Sequence, residues 1–176
     1  MADINVTAIN PRRPADAPAE EPIWDLIELL FFAYRDFVSD PDEVLAKFGF
    51  GRAHHRVLHF VNRNPGMKVA DLLELLRITK QSLGRVLKQL VDQGYIVQRE
   101  GARDRRQRLL HVTEKGRALA LQLATLQTER IATALKELGP GAHEEARRFL
   151  AAMIDQEDRA GVLAFIESAD EARRRT

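Results

Sequence analysis

Only Arg77 and Ile78 separate two helical patterns in the stretch from Val69 to Thr113, and a basic, β-prone run follows the second pattern at once. In the first, Val69, Leu72, Leu73 and Leu76 recur at helical spacing, with Asp71 in the opening turn where the helix dipole favours negative charge. A connection that short requires a sharp turn, and Thr79 behind it can cap the next helix through its hydroxyl. In the second pattern Leu83, Val86, Leu87 and Leu90 form an inward stripe, leaving Lys80, Gln81, Ser82, Arg85, Lys88 and Gln89 on the other faces. Gly94 is placed to end that helix in a left-handed conformation, and Tyr95, Ile96 and Val97 begin a strand. Strands from Tyr95 to Arg99 and from Arg108 to Val112 then enclose a Gly-containing loop that carries Arg103, Asp104, Arg105 and Arg106.

These pieces predict chemistry as well as shape. A DNA major groove displays acceptors and methyl groups, so a helix entering it N-terminus first needs Gln, Ser, Lys or Arg in its first two turns. The second helix has all four, in Lys80, Gln81, Ser82 and Arg85, behind the cap Thr79. The loop crowds its arginines at one tip, where guanidinium forks suit phosphate oxygens and the negative potential of a narrow minor groove. Asp104 limits the repulsion among Arg103, Arg105 and Arg106. Residues 49–113 are therefore expected to form a winged helix-turn-helix that binds double-stranded DNA through these helix and loop residues.

Charge is distributed to match. The chain carries a formal charge of only +1, yet Arg77 to Arg108 holds nine Lys or Arg against three acids, a local excess of six that leaves minus five for the remainder. One face is thus directed toward a polyanion without the whole surface becoming adhesive. Cysteine is absent, which excludes disulfides and thiol-based redox sensing. There is no Gly-rich phosphate loop, Cys nucleophile or His-Glu-x-x-His helix, so no enzyme and no cofactor are expected. His55 and His59 stand one helical turn apart near His54, but without further ligands they predict packing histidines rather than a metal site.

The flanks should be helical, giving a mostly α fold. Residues 1–22, with four prolines among Ala, Asp and Glu, predict a flexible arm; no secretion signal or membrane span is evident, so a cytoplasmic protein is expected. From Ile23 to Val38 the chain is apolar nearly all round, from Trp24 to Phe37, which a single small protomer covers less easily than two. Ser39 to Pro41 should end or bend that helix before a short turn from Asp42 to Phe48. A helix from Ala53 to Asn62 follows, and Met67 and Lys68 can add a third strand to the hairpin. A long helix from Glu114 to Leu138 and a final one from Ala142 to Ser168 complete the chain. Residues 23–48 and 114–170 together are expected to build a helical base for a homodimer.

At the wing the chain resembles the MarR family of bacterial transcriptional regulators. That family's Asp-x-Arg followed by Leu-Thr-x-x-Gly is similar to Asp104, Arg106, Val112, Thr113 and Gly116, with Val112 in place of the usual Leu. The order of helices and wing is similar from about Trp24 to Ile166. The resemblance implies a homodimer whose second helix, Thr79 to Arg85, reads the major groove while Arg106 probes the minor groove. It further implies a small aromatic or anionic effector between base and reading head, where Phe31, Phe32, Arg35, His55 and His59 fall by position. The expected function is a sequence-specific DNA-binding regulator, a repressor on a pseudo-palindromic operator; the alternative is a winged-helix module that meets an acidic protein partner.

Overall fold

A computed structural model describes residues 21–101, 104 and 106–175. The expected arm, but for Glu21 and Pro22, lies outside the described residues, as do Arg103 and Arg105. The elements run α1 (Trp24–Ala46), α2 (Arg52–Arg63), β1 (Met67–Lys68), α3 (Val69–Leu76), α4 (Lys80–Asp92), β2 (Ile96–Glu100), β3 (Arg108–Val112), α5 (Glu114–Leu138), α6 (Ala142–Met153) and α7 (Gln156–Arg174). The three strands form an antiparallel sheet in the order β1-β3-β2, with Met67 opposite Leu110 and Gln98 opposite the same residue on the other side. The mostly helical winged helix-turn-helix and the third strand read from the sequence are both present.

One core holds these elements together. The stripes Leu72 and Leu76 of α3 and Leu83, Val86, Leu87 and Leu90 of α4 meet Val57, Leu58 and Val61 of α2, with Leu110 of the sheet and Leu119 and Leu123 of α5 closing the cluster. Fully burying a side chain of this size contributes about 1.5–3 kcal/mol, so the cluster fixes α4 and the hairpin in one unit.

Three boundaries differ from the sequence reading, the simplest being the end of the last helix, which runs on to Arg174 rather than stopping at Ser168. Helix α1 does not stop at Ser39 to Pro41 but continues through Pro41 to Ala46. Val38, Pro41 and Leu45, three and four residues apart, all lie on its one buried face, and that shared burial carries the helix past the backbone hydrogen bond that proline removes. The single final helix is in fact two, because Ile154 is extended and a new helix starts after Asp155, whose carbonyl accepts from Asp158 N and Arg159 N. Arg159 stabilises the break by donating to the carbonyls of Ala152 and Ile154 at 2.7 and 3.0 Å, filling acceptors that the end of α6 leaves open. The break lets α7 fold onto the reading unit: Phe165 tilts against Phe60 at 6.2 Å between ring centroids, Arg63 pairs with Asp170 at 2.8 Å, and Arg77 pairs with Asp158.

The hairpin joins α5 through a close backbone approach. Thr113 Oγ1 accepts from Gly116 N at 3.0 Å, capping α5, while its hydroxyl donates to the Gly94 carbonyl at 2.7 Å. Gly116 packs so tightly that an added Cβ would lie 2.0 Å from the Tyr95 carbonyl oxygen. Any side chain there must push two main-chain segments apart, so Gly116→Ala should cost about 1–3 kcal/mol, the range for overpacking. Urea unfolding of the variant measures this; an unchanged midpoint would show that the junction relaxes freely.

Candidate nucleic-acid interface

The reading helix begins as the sequence suggests. Thr79 is extended at φ −69°, ψ 149°, and its Oγ1 accepts the Ser82 backbone N–H at 3.1 Å, so the donor-bearing first turn of α4 starts at a fixed point. Before it, Arg77 adopts a left-handed φ of 49°, the only such non-glycine among the described residues. That conformation costs roughly 1–2 kcal/mol for an L-residue, and it turns the chain within two residues while the Arg77 side chain is held by Asp158 on α7. Lys80, Gln81, Ser82 and Arg85 are all exposed.

The wing tip is shaped by Asp104. Its carboxylate accepts the Arg106 backbone N–H at 2.9 Å, and its carbonyl accepts from Gln107 N at 3.0 Å, a local turn that presents Arg106 to solvent. Gly101 makes room for it, since a Cβ there would stand 2.7 Å from the Asp104 carbonyl oxygen. Asp104 therefore acts on the backbone rather than as a counter-charge alone. Across the strands Arg108 pairs with Glu100 at 3.2 Å, while Arg106 makes no ion pair among the described residues.

Helix and wing share a surface. Lys80, Gly84 and Lys88 of α4 line the same open crevice, about 1,040 Å³ in volume, as Gln98, Arg106 and Arg108 of the hairpin. Four of those six residues are cationic, against one acidic lining residue, Asp92, which pairs with Lys88, so donors and net positive charge converge on a single concave front. Arg103 and Arg105 fall outside the described residues.

Two residues that sequence reasoning passed over bear on this front, one lining it and one supporting α4 from the core. Gly84 sits in the second turn of α4, exposed, with nothing within 4 Å of where its Cβ would be. Glycine inside a helix costs about 0.5–1 kcal/mol relative to alanine, and nothing within the protomer requires it. A lone glycine between Leu83 and Arg85 was the available signal, because it interrupts an otherwise helix-favouring run. His54 is the second. Its Nδ1 accepts from Gly51 N at 3.2 Å, which leaves the proton on Nε2, and Nε2 donates to Gln89 Oε1 on α4 at 2.6 Å. With its ring stacked on Phe50 at 4.6 Å, His54 ties the start of α2 to the reading helix.

The five residues placed by position in an effector site occupy two settings. Phe31 and Phe32 of α1 stand open, 70% and 52% exposed, with the Arg35 guanidinium over Phe32 at 5.0 Å and bonded to Asp36 at 2.7 Å. His55 and His59 lie half-buried on α2. Burial pushes both imidazoles below their ordinary value; Asp42 opposes this at His55, whereas His55 and Arg63 add to it at His59. Among the described residues no three His, Asp or Glu side chains converge as metal ligands.

Comparison with known proteins agrees with this geometry. Residues 48–107 match the model of the MarR family. The chain is 49% identical over 129 residues to the HTH-type transcriptional regulator PetP of Rhodobacter capsulatus, covering 73% of this chain and 78% of that protein. Among solved structures, an E. coli MarR variant complexed with operator DNA is 18% identical with a TM-score of 0.58, covering 77% of this chain and all of that one. NadR in complex with 4-hydroxyphenylacetate is 21% identical with a TM-score of 0.62, covering 81% and 100%.

The depressed imidazoles of His55 and His59 set a pH dependence, to which His111, lowered by burial and by Arg99, adds in the same direction. As pH falls past about 6.5, the ordinary imidazole value, the unfolded chain takes up protons that folded His55 and His59 still refuse, so stability is present above that pH and declines below it until the folded histidines also protonate. Unfolding midpoints measured from pH 7.5 to 5.5 should fall, and a His55→Gln/His59→Gln variant should show a shallower decline; an equal slope in both proteins would remove these residues from the account.

Proposed function

The chain belongs to the MarR family of helix-turn-helix transcriptional regulators, and on that premise we propose that it acts as a homodimer that occupies a pseudo-palindromic operator and represses transcription there. The observation that carries this reading is the single crevice shared by α4 and the wing, into which Lys80, Lys88, Arg106 and Arg108 bring positive charge. In this reading Thr79 to Arg85 enter a major groove, with Gln81 and Arg85 meeting base edges, while Arg106, which follows Arg103 and Arg105 in sequence, reaches the adjacent minor groove. The operator-bound MarR variant supports the same use of this fold.

The dimer is supported by what the protomer leaves uncovered. Trp24, Leu29, Phe31 and Tyr34 of α1 and Phe149, Leu150 and Met153 of α6 are each more than half exposed, an extent of apolar surface that isolated soluble protomers rarely present. Two-fold pairing through these helices would set the two reading helices about 34–36 Å apart, one turn of duplex. A small aromatic or anionic effector held near Phe31, Phe32, Arg35, His55 and His59 would then alter operator affinity by favouring another spacing. NadR, which is solved with 4-hydroxyphenylacetate, supports an effector of that kind. As a reader of chromosomal operators the protein would work in the cytoplasm.

Gel-shift titration of genomic fragments at fixed, physiological salt tests the reading. Sequence-selective retardation is expected; uniform or absent retardation would overturn it in favour of a protein-binding module. Arg106→Ala should weaken operator binding while helical content and assembled mass stay unchanged, and equal affinity would remove the wing contact. Gln81→Ala or Arg85→Ala should relax base preference by about 1–3 kcal/mol at one position of a randomised operator library. Gly84→Ala separates stability from recognition: the variant should gain up to about 1 kcal/mol in stability yet bind operator more weakly, and unchanged binding would show that no close approach occurs at this residue.

A further inference from the structure

A second cavity, about 610 Å³, opens where the end of α2 and the turn after it meet the last residue of β3, the first turns of α5 and the end of α7. It shares no residue with the crevice between α4 and the wing, and none of the five residues discussed for an effector lines it. Its volume falls within the roughly 300–1,000 Å³ of small-molecule sites. Val112, Leu121, Ala169 and Ala172 make an aliphatic wall without an aromatic ring, and three arginines, Arg63, Arg117 and Arg173, rim it.

Of the three arginines only Arg63 forms an ion pair among the described residues. Arg63 donates to Asp170 at 2.8 Å, and this hydrogen bond, with the charges of Arg63, Arg174 and Arg173, holds the Asp170 carboxyl below the usual carboxylate value. Arg117 and Arg173 make no ion pair among the described residues. They come from different elements, α5 and α7, and line the same cavity as the aliphatic wall. Two guanidinium forks without an ion pair among the described residues, sharing one cavity with an aliphatic lining, suit a ligand that carries two anionic groups joined by a short hydrocarbon.

We propose that this cavity binds a short aliphatic dicarboxylate, with one carboxylate on Arg117, the other on Arg173, and the methylene chain over Val112, Leu121 and Ala169. Such a ligand bridges β3 of the reading unit to α5 and α7, and so stabilises one placement of the wing relative to the helices behind it. Coupling to operator affinity rests on the regulator reading above; binding itself does not. By linkage, whatever factor the ligand imposes on DNA affinity, DNA imposes on ligand affinity.

Calorimetric titration of the full chain with succinate, glutarate and adipate, with the diamide of the best binder and with inorganic phosphate, tests the site. At least one dicarboxylate is expected to bind once per chain, and at least tenfold more tightly than its diamide or phosphate. Arg117→Gln and Arg173→Gln should each lower that affinity at least tenfold, with Arg117→Lys recovering part of it, while the ligand-free unfolding midpoint stays unchanged. No binding by any of the three, equal binding of the diamide or of phosphate, or full affinity in the variants would overturn the proposal. Should dicarboxylate binding persist in a protein that retards no genomic fragment, the site stands and the regulator reading fails.

Discussion

The wing's placement depends on one contact between main chains, the seat of Gly116 against the Tyr95 carbonyl. At that point the end of the reading helix, the start of β2, the return of β3 and the head of α5 all meet. Thr113 N donates to the Tyr95 carbonyl at 3.0 Å, its hydroxyl donates to Gly94, and the same oxygen caps α5. A loop of basic residues could point anywhere if its strands were only tethered; here both strands leave from a knot whose atoms are all committed. This also gives the Thr-x-x-Gly pattern a physical basis, because threonine supplies a donor and an acceptor together and glycine alone allows the approach.

The reading helix is held at both ends by side chains from elsewhere in the chain. At its start, the left-handed turn at Arg77 is fastened to α7 through Asp158, and the first turn is capped by Thr79. Near its end, Gln89 accepts from His54 of α2. The buried stripe from Leu83 to Leu90 fixes the helix's rotation between these points, so α4 is seated on the core by one face while its donor-bearing face stays exposed. The break at Ile154 serves the same end, since only a redirected α7 can bring Phe165, Asp170 and Asp158 onto α2 and the turn.

Much of this was legible in the residues because local signals agreed with one another. The stripe of α4, its threonine cap, Gly94 at a φ of 73° and the alternating hairpin each pointed to the same arrangement, and the strand boundaries moved by a single residue. Of the two outcomes expected at Pro41, an end or a bend, the end did not occur, because the local rule that proline stops helices was outweighed by burial of its own face, which no window of sequence displays. The split of the last helix escaped for a similar reason: an arginine three residues into the second helix satisfies the end of the first, a partnership invisible to periodicity. On the candidate surface, donors announced themselves by type, whereas Gly84 is marked only by the open space where a side chain would be and His54 by a contact 35 residues away in sequence.

The bare apolar flank of α1 and α6 has a consequence for how such a protein is kept in the cell. On the proposed pairing, folded subunits are stabilised by mass action, so their resistance to proteolysis rises with their own abundance. Newly made chains at low copy number present Trp24 and Phe31 to water until a mate arrives, and in that interval they are substrates for chaperones and proteases. Supply of the regulator is thereby tied to its own concentration through the chemistry of one helix, before any promoter is consulted.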